Sequence, residues 1–187
     1  MSQDVAHRAS LELRSVSKRF VAGAGSCTIG VTALRRASAE IRTGEVLVVA
    51  GPMGSGKTTL LLCAAGLLRC DSGSVIGSAR RVVYRDLLLP ARPIDPITPG
   101  AVLLLDSCDA LPDLARARAA RVVAEALSIG ASVVLAAREA VECFDLAPPG
   151  ATISILHLRL GETSGREIPV ANRVAEGGAF VFTRNGR

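Results

Sequence analysis

The sequence has very few aromatic residues. It contains no tryptophan, one tyrosine and four phenylalanines, although 22 basic residues against 17 acidic ones give it a net charge of +5. Proteins that bind single-stranded nucleic acid combine a basic groove with aromatic side chains on which the bases stack. Because such aromatic residues are scarce and the arginines are scattered, the sequence carries no strong signal for nucleic-acid binding.

Long apolar runs and an N-terminal signal pattern are also missing. The longest uninterrupted apolar stretch lies around 60–68, whereas a membrane-spanning helix needs about 20 residues. No basic segment followed by an apolar one begins the chain, so we expect no membrane span, no secretory signal and a cytoplasmic protein. Since 49% of the residues are hydrophobic, we expect a partner protein to cover part of the surface.

The cysteines form no C-x-x-C pair. Five cysteines are present, an odd number, which favours reduced thiols over a disulfide framework or a zinc site. Cys63 and Cys70 are seven positions apart and could share a helix face. The simplest interpretation of all five is that they are small buried apolar side chains.

Lysine is nearly absent too, and one of the two lysines lies in a recognisable motif. Residues 51–59 read G-P-M-G-S-G-K-T-T and match the phosphate-binding loop pattern G-x-x-x-x-G-K-[ST]. The apolar residues 45–50 predict a strand before the loop, and Thr58 to Leu68 predict a helix after it. The alternative, a glycine-rich turn that binds nothing, does not explain the full match. We therefore predict phosphate binding by these residues: Gly51, Gly54, Ser55, Gly56, Lys57, Thr58 and Thr59.

The chemistry of nucleoside triphosphates accounts for these residue types. Glycines let successive backbone N–H groups face the phosphate oxygens, and the helix N-terminus adds a partial positive charge. Lys57 is expected to reach the β- and γ-phosphates, and the Thr58 hydroxyl to hold Mg²⁺. A second Mg²⁺ ligand is expected at Asp106, where the apolar run 101–105 ends in an acid.

The remaining segments predict mostly strands. Leu11 to Arg14 has the alternation of a half-buried strand, and 15–20 is expected to continue towards a turn. Ala22 to Ser26 is expected to form a loop, and Thr28 to Ile41 a strand hairpin. Residues 1–9 are expected to be a flexible start. Further strands are predicted at 80–85, 101–106, 131–137 and 153–160, with an edge strand at 179–182.

Two more helices are predicted in the second half of the chain. One begins at Pro112 and Asp113, and a short one covers 139–144. The first is expected to present an apolar stripe made of Leu114, Ala117, Ala120, Ala124 and Leu127. Its other side is expected to be a solvated face with Arg116, Arg118 and Arg121. Pro90, Pro93, Pro96 and Pro99 predict an extended connector before residue 101, and His157 is expected to point outward from its strand.

In order and spacing, several of these segments resemble the N-terminal half of an ATP-binding cassette (ABC) ATPase domain. They are 11–20, 33–35, 41–46, the phosphate loop, 60–68 and 71–75. The resemblance implies an α/β fold, a P-loop NTPase core with a mainly parallel sheet flanked by helices and an N-terminal antiparallel β portion. It also implies one domain over 1–187, with ATP and Mg²⁺ as cofactors. An aromatic residue in the position of Phe20 stacks on adenine in that family; the alternative is that Phe20 packs in the core.

The chain departs from the family pattern at several positions. Only 49 positions separate Lys57 from Asp106, too few for the family's helical subdomain, and the L-S-G-G-Q signature is absent. The family's catalytic glutamate corresponds to Ser107, its histidine to Arg138, and its glutamine to Arg85 or Asp86. Asp113 keeps the spacing of a further family aspartate, and Asp109 or Glu139 could substitute as the general base.

These departures leave three functional hypotheses. The first is an ATP-binding subunit with degenerate catalytic residues, regulatory or structural in a complex with a transporter's membrane subunit or with a complete ABC ATPase. The second is an active transporter ATPase completed by a partner, and the third is an interaction platform that does not need nucleotide. A small P-loop kinase fits less well because no lid or acceptor segment is evident. The first hypothesis also predicts a location in the cytoplasm, at the inner membrane face through the partner.

Overall fold

The described part of the chain contains two sheets and two α-helices. The computed structural model describes residues 9–24, 27–79, 81–89, 96–159 and 162–164. The larger sheet has six strands in the order β5-β6-β7-β3-β8-β9, and the smaller has three in the order β2-β1-β4. This is the α/β fold with an N-terminal antiparallel β portion that the sequence predicts.

The six-stranded sheet is parallel except at one edge. Its strands are β3 (Val46–Ala50), β5 (Val82–Asp86), β6 (Val102–Asp106), β7 (Ser132–Ala137), β8 (Ile153–Arg159) and β9 (Glu162–Ser164), and only β9 runs antiparallel to its neighbour. Every residue of β3, β6 and β7 is buried, as expected for parallel strands that are covered on both faces. Because β3 lies between β7 and β8, the loop that follows it emerges near the middle of the sheet.

The antiparallel sheet consists of β1 (Ala9–Ala24), β2 (Cys27–Arg42) and β4 (Ser72–Gly77). The predicted hairpin within 28–41 is wrong, because this segment is a single strand paired along its length with β1. Ser15 (φ 48°) and Arg36 (φ 50°) produce bulges that disturb the regular alternation. Serine side chains satisfy the displaced backbone groups, since Ser15 N–H donates to Ser38 Oγ (3.0 Å) and Arg36 N–H to Ser17 Oγ (3.0 Å).

Two other boundaries in this region differ from prediction. The strand β1 already begins at Ala9 and continues to Ala24, so Ala9 is not part of a flexible start and 22–24 are not a loop. Cross-strand pairing explains the extension, because the register continues to Ala24 opposite Cys27. The predicted edge strand at 179–182 and the rest of the start, 1–8, lie outside the described residues.

Helix α1 (Lys57–Ala64) is shorter than the predicted helix over 58–68. Gly66 adopts a left-handed conformation (φ 70°), and its N–H bonds to Cys63 O (3.0 Å) while Leu67 N–H bonds to Leu62 O (3.0 Å). This is the Schellman arrangement that ends helices at a glycine. The predicted shared helix face of Cys63 and Cys70 is therefore wrong, because Cys70 follows the helix.

Helix α2 (Asp113–Ser128) starts where predicted but buries a different face. The buried residues are Ala119, Val123 and Ala126, whereas Leu114, placed in the predicted stripe, is 67% exposed. In an alanine-rich helix small side chains occur on all faces, so their spacing defines the buried side poorly. Arg118 and Arg121 are exposed as predicted, but Arg116 is partly buried and bonded to neighbouring turns.

Two apolar clusters occupy the two faces of the parallel sheet. One packs α2 and the turns around it on one face, and the other packs α1 and the antiparallel sheet on the opposite face. Between α1 and β6 the described residues 65–79, 81–89 and 96–101 form only strands, turns and irregular segments. No helix in the described ranges is long and apolar enough to cross a membrane.

Candidate nucleotide-binding site

The phosphate loop connects the end of β3 to the start of α1. Gly51 N–H bonds to the carbonyl oxygens of Ala137 (3.2 Å) and Arg138 (3.1 Å), so the loop is fixed to the end of the neighbouring strand β7. Gly54 (φ 77°) and Gly56 (φ 100°) have conformations that residues with a side chain rarely adopt. The loop therefore lies at the carboxyl edge of the parallel strands, the usual ligand position in open α/β sheets.

At two positions of the loop, close contacts with backbone atoms also leave no room for a side chain. A Cβ atom on Gly51 would lie 2.2 Å from the Leu158 carbonyl oxygen, and one on Gly56 would lie 2.3 Å from the Ala33 carbonyl oxygen. Leu158 belongs to β8 and Ala33 to β2, so the loop is held between the two sheets. Both contacts are with backbone, which cannot rotate away as a side chain can.

Lys57 lies across the loop. Its Nζ donates to Gly51 O (2.7 Å) and Pro52 O (3.0 Å), so the ammonium group is held where the loop curls. Burial lowers the pKa of Lys57 below its ordinary value of 10.5, while the carboxylates of Asp109 and Asp106 act in the opposite direction. The ammonium group is therefore partly desolvated and has acidic neighbours.

The other predicted loop residues differ in exposure. Ser55 is 1% exposed, and its Oγ has no hydrogen-bond partner within the described part of the protein. Thr58 is exposed at the start of α1, and Thr59 is half-buried beside it. An unpartnered buried hydroxyl is a polar group that an added ligand or water could satisfy.

Asp106 ends β6 and is almost fully buried, with 3% exposure. Its Oδ2 accepts a hydrogen bond from Tyr84 Oη (3.2 Å), and its Oδ1 accepts one from Ser107 N–H (2.9 Å). Burial and the charge of Asp106, together with this hydrogen bond, raise the pKa of Tyr84. Tyr84 thus remains a hydrogen-bond donor that orients the carboxylate, a role that the sequence did not indicate.

Ser107 and Arg138, which the resemblance places at the positions of the family's glutamate and histidine, each form contacts with neighbouring residues. Ser107 adopts a left-handed conformation (φ 61°), and its backbone N–H bonds to Asp106. Arg138 Nε donates to Asp109 Oδ2 at 2.7 Å, so Asp109 is ion-paired. The carboxylate of Glu139 accepts a hydrogen bond from the backbone N–H of Glu142. Both carboxylates predicted as replacement bases are thus engaged with other groups.

Phe20 lies on β1 and is 43% exposed, so the alternative that it packs in the core is wrong. Lys18 Nζ lies 5.7 Å from the centre of the ring and also donates to Asp71 Oδ1 (2.8 Å). Lys18 pairs across the sheet with Leu34, and a Cβ on Gly56 would lie 3.1 Å from Leu34 Cδ2. The strand that carries Phe20 thus packs near the phosphate loop.

Sequence reasoning missed a set of contacts around Arg116. Its Nε donates to Asp145 Oδ2 (2.5 Å), and its Nη2 donates to Asp145 Oδ1 (2.6 Å) and to Glu142 O. Its Nη1 donates to Cys108 O (3.3 Å). Arg116 therefore joins the 3₁₀ turn Cys108–Ala110, which follows Asp106, to the 3₁₀ turn Ala140–Cys143, which follows Arg138. Nothing in the spacing of the arginines distinguishes it from Arg118.

The residues present fit a nucleoside triphosphate with Mg²⁺. The left-handed glycines, the buried Ser55 hydroxyl and the ammonium group of Lys57 provide N–H and cationic donors for phosphate. Thr58 and Asp106 supply the hydroxyl and carboxylate oxygens that Mg²⁺ prefers. Within the described ranges no group of three or more His, Cys, Asp or Glu side chains could hold a metal ion. The two oxygen ligands Thr58 and Asp106 suit Mg²⁺, because this ion keeps several waters and also binds substrate phosphates.

Comparison with known proteins agrees with this geometry. The family model for ABC transporters matches residues 34–94, which include the phosphate loop and helix α1. One similar solved structure is the ATP-binding cassette MJ0796 in a dimeric post-hydrolysis state bound to ADP and Pi. Its TM-score is 0.61 at 15% sequence identity, and the match covers 87% of this chain and 99% of the MJ0796 chain. The cassette MJ1267 in its ADP conformation has a TM-score of 0.63 at 12% identity, covering 87% and 91%. The chain therefore resembles ATP-binding cassettes in fold, and residues 34–94 match the ABC transporter family.

Curated relatives match the chain over a short segment. The sulfate/thiosulfate import ATP-binding protein CysA of Bordetella pertussis is 46% identical over 67 residues, which are 36% of this chain and 17% of that protein. The spermidine/putrescine import ATP-binding protein PotA of Aggregatibacter actinomycetemcomitans is 40% identical over 76 residues, which are 41% and 18%. The chain therefore matches less than a fifth of the length of either relative. The similarity to these ATP-binding proteins therefore concerns a short segment and not the whole relative.

Proposed function

We propose that this chain binds ATP with Mg²⁺ and, without help from a partner, hydrolyses it slowly or not at all. The observation that carries the proposal is an intact phosphate loop next to altered catalytic positions. Lys57 is held against the loop by hydrogen bonds of 2.7 and 3.0 Å, whereas Ser107 and Arg138 stand where the family has its glutamate and histidine.

The binding half of the proposal rests on the donors that the loop offers. Lys57 would contact the β- and γ-phosphates, the loop N–H groups would surround them, and Thr58 and Asp106 would hold the metal ion. Bound Mg²⁺ would neutralise charge on the phosphates. Phe20, exposed on β1, would provide a stacking surface for adenine.

The catalytic half rests on the absence of a suitable base among the described residues near Asp106. A serine hydroxyl at position 107 cannot accept a proton at neutral pH, and general-base assistance typically contributes 10²- to 10⁴-fold to a rate. Asp109 is ion-paired with Arg138 at 2.7 Å, and the Glu139 carboxylate caps a turn. Neither is available without breaking an existing contact.

A site that binds ATP without hydrolysing it would act most simply through a protein partner. The matched relatives are named as import ATP-binding proteins, so we propose a transporter's membrane subunit or a complete ABC ATPase as the partner. Large apolar side chains at Leu67, Leu88 and Leu89 are each at least 59% exposed, and a partner could cover them. In that arrangement the chain would be cytoplasmic and peripheral at the inner membrane face.

Calorimetric titration with ATP and Mg²⁺ tests binding directly. The wild-type chain should bind, Lys57→Ala should lose most of the affinity, and Arg69→Ala should keep it. The Arg69 variant is a matched control because it removes one exposed positive charge beyond the other end of α1. Absence of binding by the wild-type chain would contradict the proposal and leave the nucleotide-independent platform.

Phosphate release tests the catalytic half. We expect no steady release above that of Asp106→Asn, which removes the expected Mg²⁺ carboxylate but keeps its size. A steady release by the wild-type chain that Asp106→Asn abolishes would contradict catalytic degeneracy and favour an active ATPase. Ser107→Glu measured with a partner should raise the rate if the missing base alone limits turnover.

A further inference from the structure

Two cysteines lie together at the carboxyl end of α1. Cys63 is in the last turn of the helix and is 1% exposed. Cys70 follows the helix and packs against the apolar cluster that contains Cys63. The left-handed turn at Gly66 reverses the chain between them, and the thiol of Cys63 is hydrogen-bonded to that of Cys70. The two sulfur atoms are therefore neighbours in the fold.

The segment that carries Cys70 is fixed to β1 by the next residue. Asp71 N–H donates to Ser17 O (2.9 Å). The Asp71 carboxylate accepts hydrogen bonds from Lys18 Nζ at Oδ1 (2.8 Å) and from Arg19 N–H at Oδ2 (2.7 Å). One thiol is thus held by a helix and the other by a segment bonded to a strand, so the backbone keeps the pair together from both sides.

The two thiols differ in their access to solvent. Burial raises the pKa of Cys63 to about 12, the hydrogen bond to Cys70 acts in the same direction, and the positive charge of Lys18 opposes them. Cys63 therefore stays protonated and shielded at neutral pH. Cys70 is only partly buried and lies between the exposed residues Arg69 and Asp71. A dissolved oxidant can thus reach the sulfur of Cys70 before that of Cys63.

A second pair of neighbouring cysteines is closed to solvent. Cys108 and Cys143 are both fully buried, and the Cys143 thiol is hydrogen-bonded to that of Cys108. They belong to the two turns that Arg116 joins through Cys108 O and Glu142 O. The proximity of two thiols is common to both pairs, whereas access for an oxidant distinguishes the first pair from the second.

We propose that Cys63 and Cys70 form a reversible redox site in which hydrogen peroxide oxidises Cys70 and Cys63 then closes an intramolecular disulfide. In the first step the Cys70 thiolate attacks one peroxide oxygen and the O–O bond breaks. Cys70 becomes a sulfenic acid, and the other oxygen leaves as hydroxide, which takes the proton that Cys70 has lost. In the second step the Cys63 sulfur attacks the Cys70 sulfur, so that the S–S bond forms and the S–O bond breaks. The sulfenic oxygen leaves as water with the proton of Cys63. The two sulfurs together lose two electrons, which the peroxide gains.

The disulfide joins the helix that begins at Lys57 to the segment that Asp71 fixes to β1. A dithiol reductant restores both thiols by exchange. Disulfides in a reducing compartment are usually transient and of this reversible kind. The site needs no bound nucleotide, so it goes beyond the proposed ATP binding and is tested without it.

Peptide mapping of the folded wild-type chain after treatment with hydrogen peroxide tests the site. Trypsin cleaves after Arg69, between the two cysteines, so the disulfide should link peptide 58–69 to peptide 70–80. The bond is intramolecular, so the oxidised chain should still migrate as a monomer on a non-reducing gel. A dithiol reductant should remove the link and restore the two separate peptides.

The fully buried pair is the matched control. Cys108 and Cys143 fall in the tryptic peptides 86–116 and 139–159, which should keep free thiols while the chain is folded. Cys143→Ser should leave the link between the other two cysteines unchanged.

Two serine variants test the order of the steps. In Cys63→Ser the sulfenic acid on Cys70 has no thiol to resolve it, so dimedone, which reacts with sulfenic acids, should label peptide 70–80. In Cys70→Ser the buried Cys63 should take up no label and keep its thiol.

Three results would overturn the proposal. One is a peroxide-treated wild-type chain in which peptides 58–69 and 70–80 stay unlinked. Another is oxidation of the Cys108–Cys143 pair as fast as that of the first pair. The third is a label on Cys63 in Cys70→Ser without one on Cys70 in Cys63→Ser. The first two results come from the wild-type chain, so they do not depend on the folding of a variant.

Discussion

Two glycines of the phosphate loop allow a matched test of what holds the loop in place. Both have left-handed backbones, with φ 77° at Gly54 and φ 100° at Gly56. An ideal Cβ on Gly54 has no atom within 4 Å, whereas one on Gly56 lies 2.3 Å from the Ala33 carbonyl oxygen. Alanine at the two positions therefore has a similar backbone cost but a different steric cost.

The expected magnitudes follow from these contacts. A left-handed conformation costs an alanine about 1–2 kcal/mol, and the lower entropy of the unfolded chain offsets about 0.4–1 kcal/mol of it. Gly54→Ala should thus lower the free energy of unfolding by about 1 kcal/mol. In Gly56→Ala the new methyl group is about 1 Å inside a normal C···O separation. Since the contact is with backbone of β2, the loop must shift, which adds about 1–3 kcal/mol.

Equilibrium urea unfolding without nucleotide measures both variants. We expect losses of about 1 kcal/mol for Gly54→Ala and about 3 kcal/mol for Gly56→Ala, with equal slopes against urea. A domain of this kind has about 5–15 kcal/mol of stability, so both variants should fold. Losses that agree within about 0.5 kcal/mol would refute the conclusion that the loop is packed against the antiparallel sheet.

Three further predictions concern contacts outside the loop. Phe20→Leu should change stability by less than about 0.5 kcal/mol because the ring is 43% exposed, but should weaken ATP binding about tenfold in calorimetry through lost stacking. Arg116→Met should lower the free energy of urea unfolding by about 2 kcal/mol, because it removes the paired hydrogen bonds to Asp145. The hydrogen bond from Lys18 lowers the pKa of Asp71 below its ordinary value of 3.8. Ionised Asp71 therefore stabilises the fold fully above about pH 3.8, and this stabilisation is lost as the pH falls through the lowered pKa. In Asp71→Asn this loss is absent, so the Tm should fall less steeply on the acid side.

Neighbouring residues supply the controls. Val21→Ala alters a 63% exposed side chain next to Phe20 and should leave ATP affinity unchanged. Arg118→Met removes an exposed arginine from the same helix as Arg116 and should change stability by less than about 0.5 kcal/mol. Equal losses in the two arginine variants would contradict the importance of the Arg116 contacts. Tm profiles of wild type and Asp71→Asn that stay parallel from pH 6 to pH 3 would contradict the linkage to Asp71.

The features that could be predicted from the sequence are encoded locally. The phosphate loop is one continuous motif, and the apolar runs that end at Ala50 and Asp106 are long enough to predict buried strands. Parallel strands bring their carboxyl ends to one edge of a sheet, so two buried strands that end at Ala50 and Asp106 place the loop and Asp106 at the same edge. The fold class itself was predicted from the family resemblance that these motifs carry in their order and spacing.

The features that could not be predicted join residues on different turns. The bonds of Tyr84 to Asp106 and of Arg138 to Asp109 depend on which strands are neighbours and on where each turn points. In a sequence with twenty arginines, nothing marks Arg116 as different from the others, and the resemblance that singles out Arg138 does not indicate its partner. The boundaries of β1 and β2 were missed for a related reason, because their pairing, and not local propensity, determines their length.

The position of β3 has a consequence for how the protein is made. The strand ends at Ala50, but the strands on its two sides begin only at Ser132 and Ile153. The hairpin of β1 and β2, in contrast, is complete at Arg42 and needs only short-range pairing. During synthesis the hairpin can therefore form early, while the phosphate loop waits for β7 and β8 to leave the ribosome. A nascent chain stopped before Ile153 should lack the nucleotide site even though every residue of its motif has already been made.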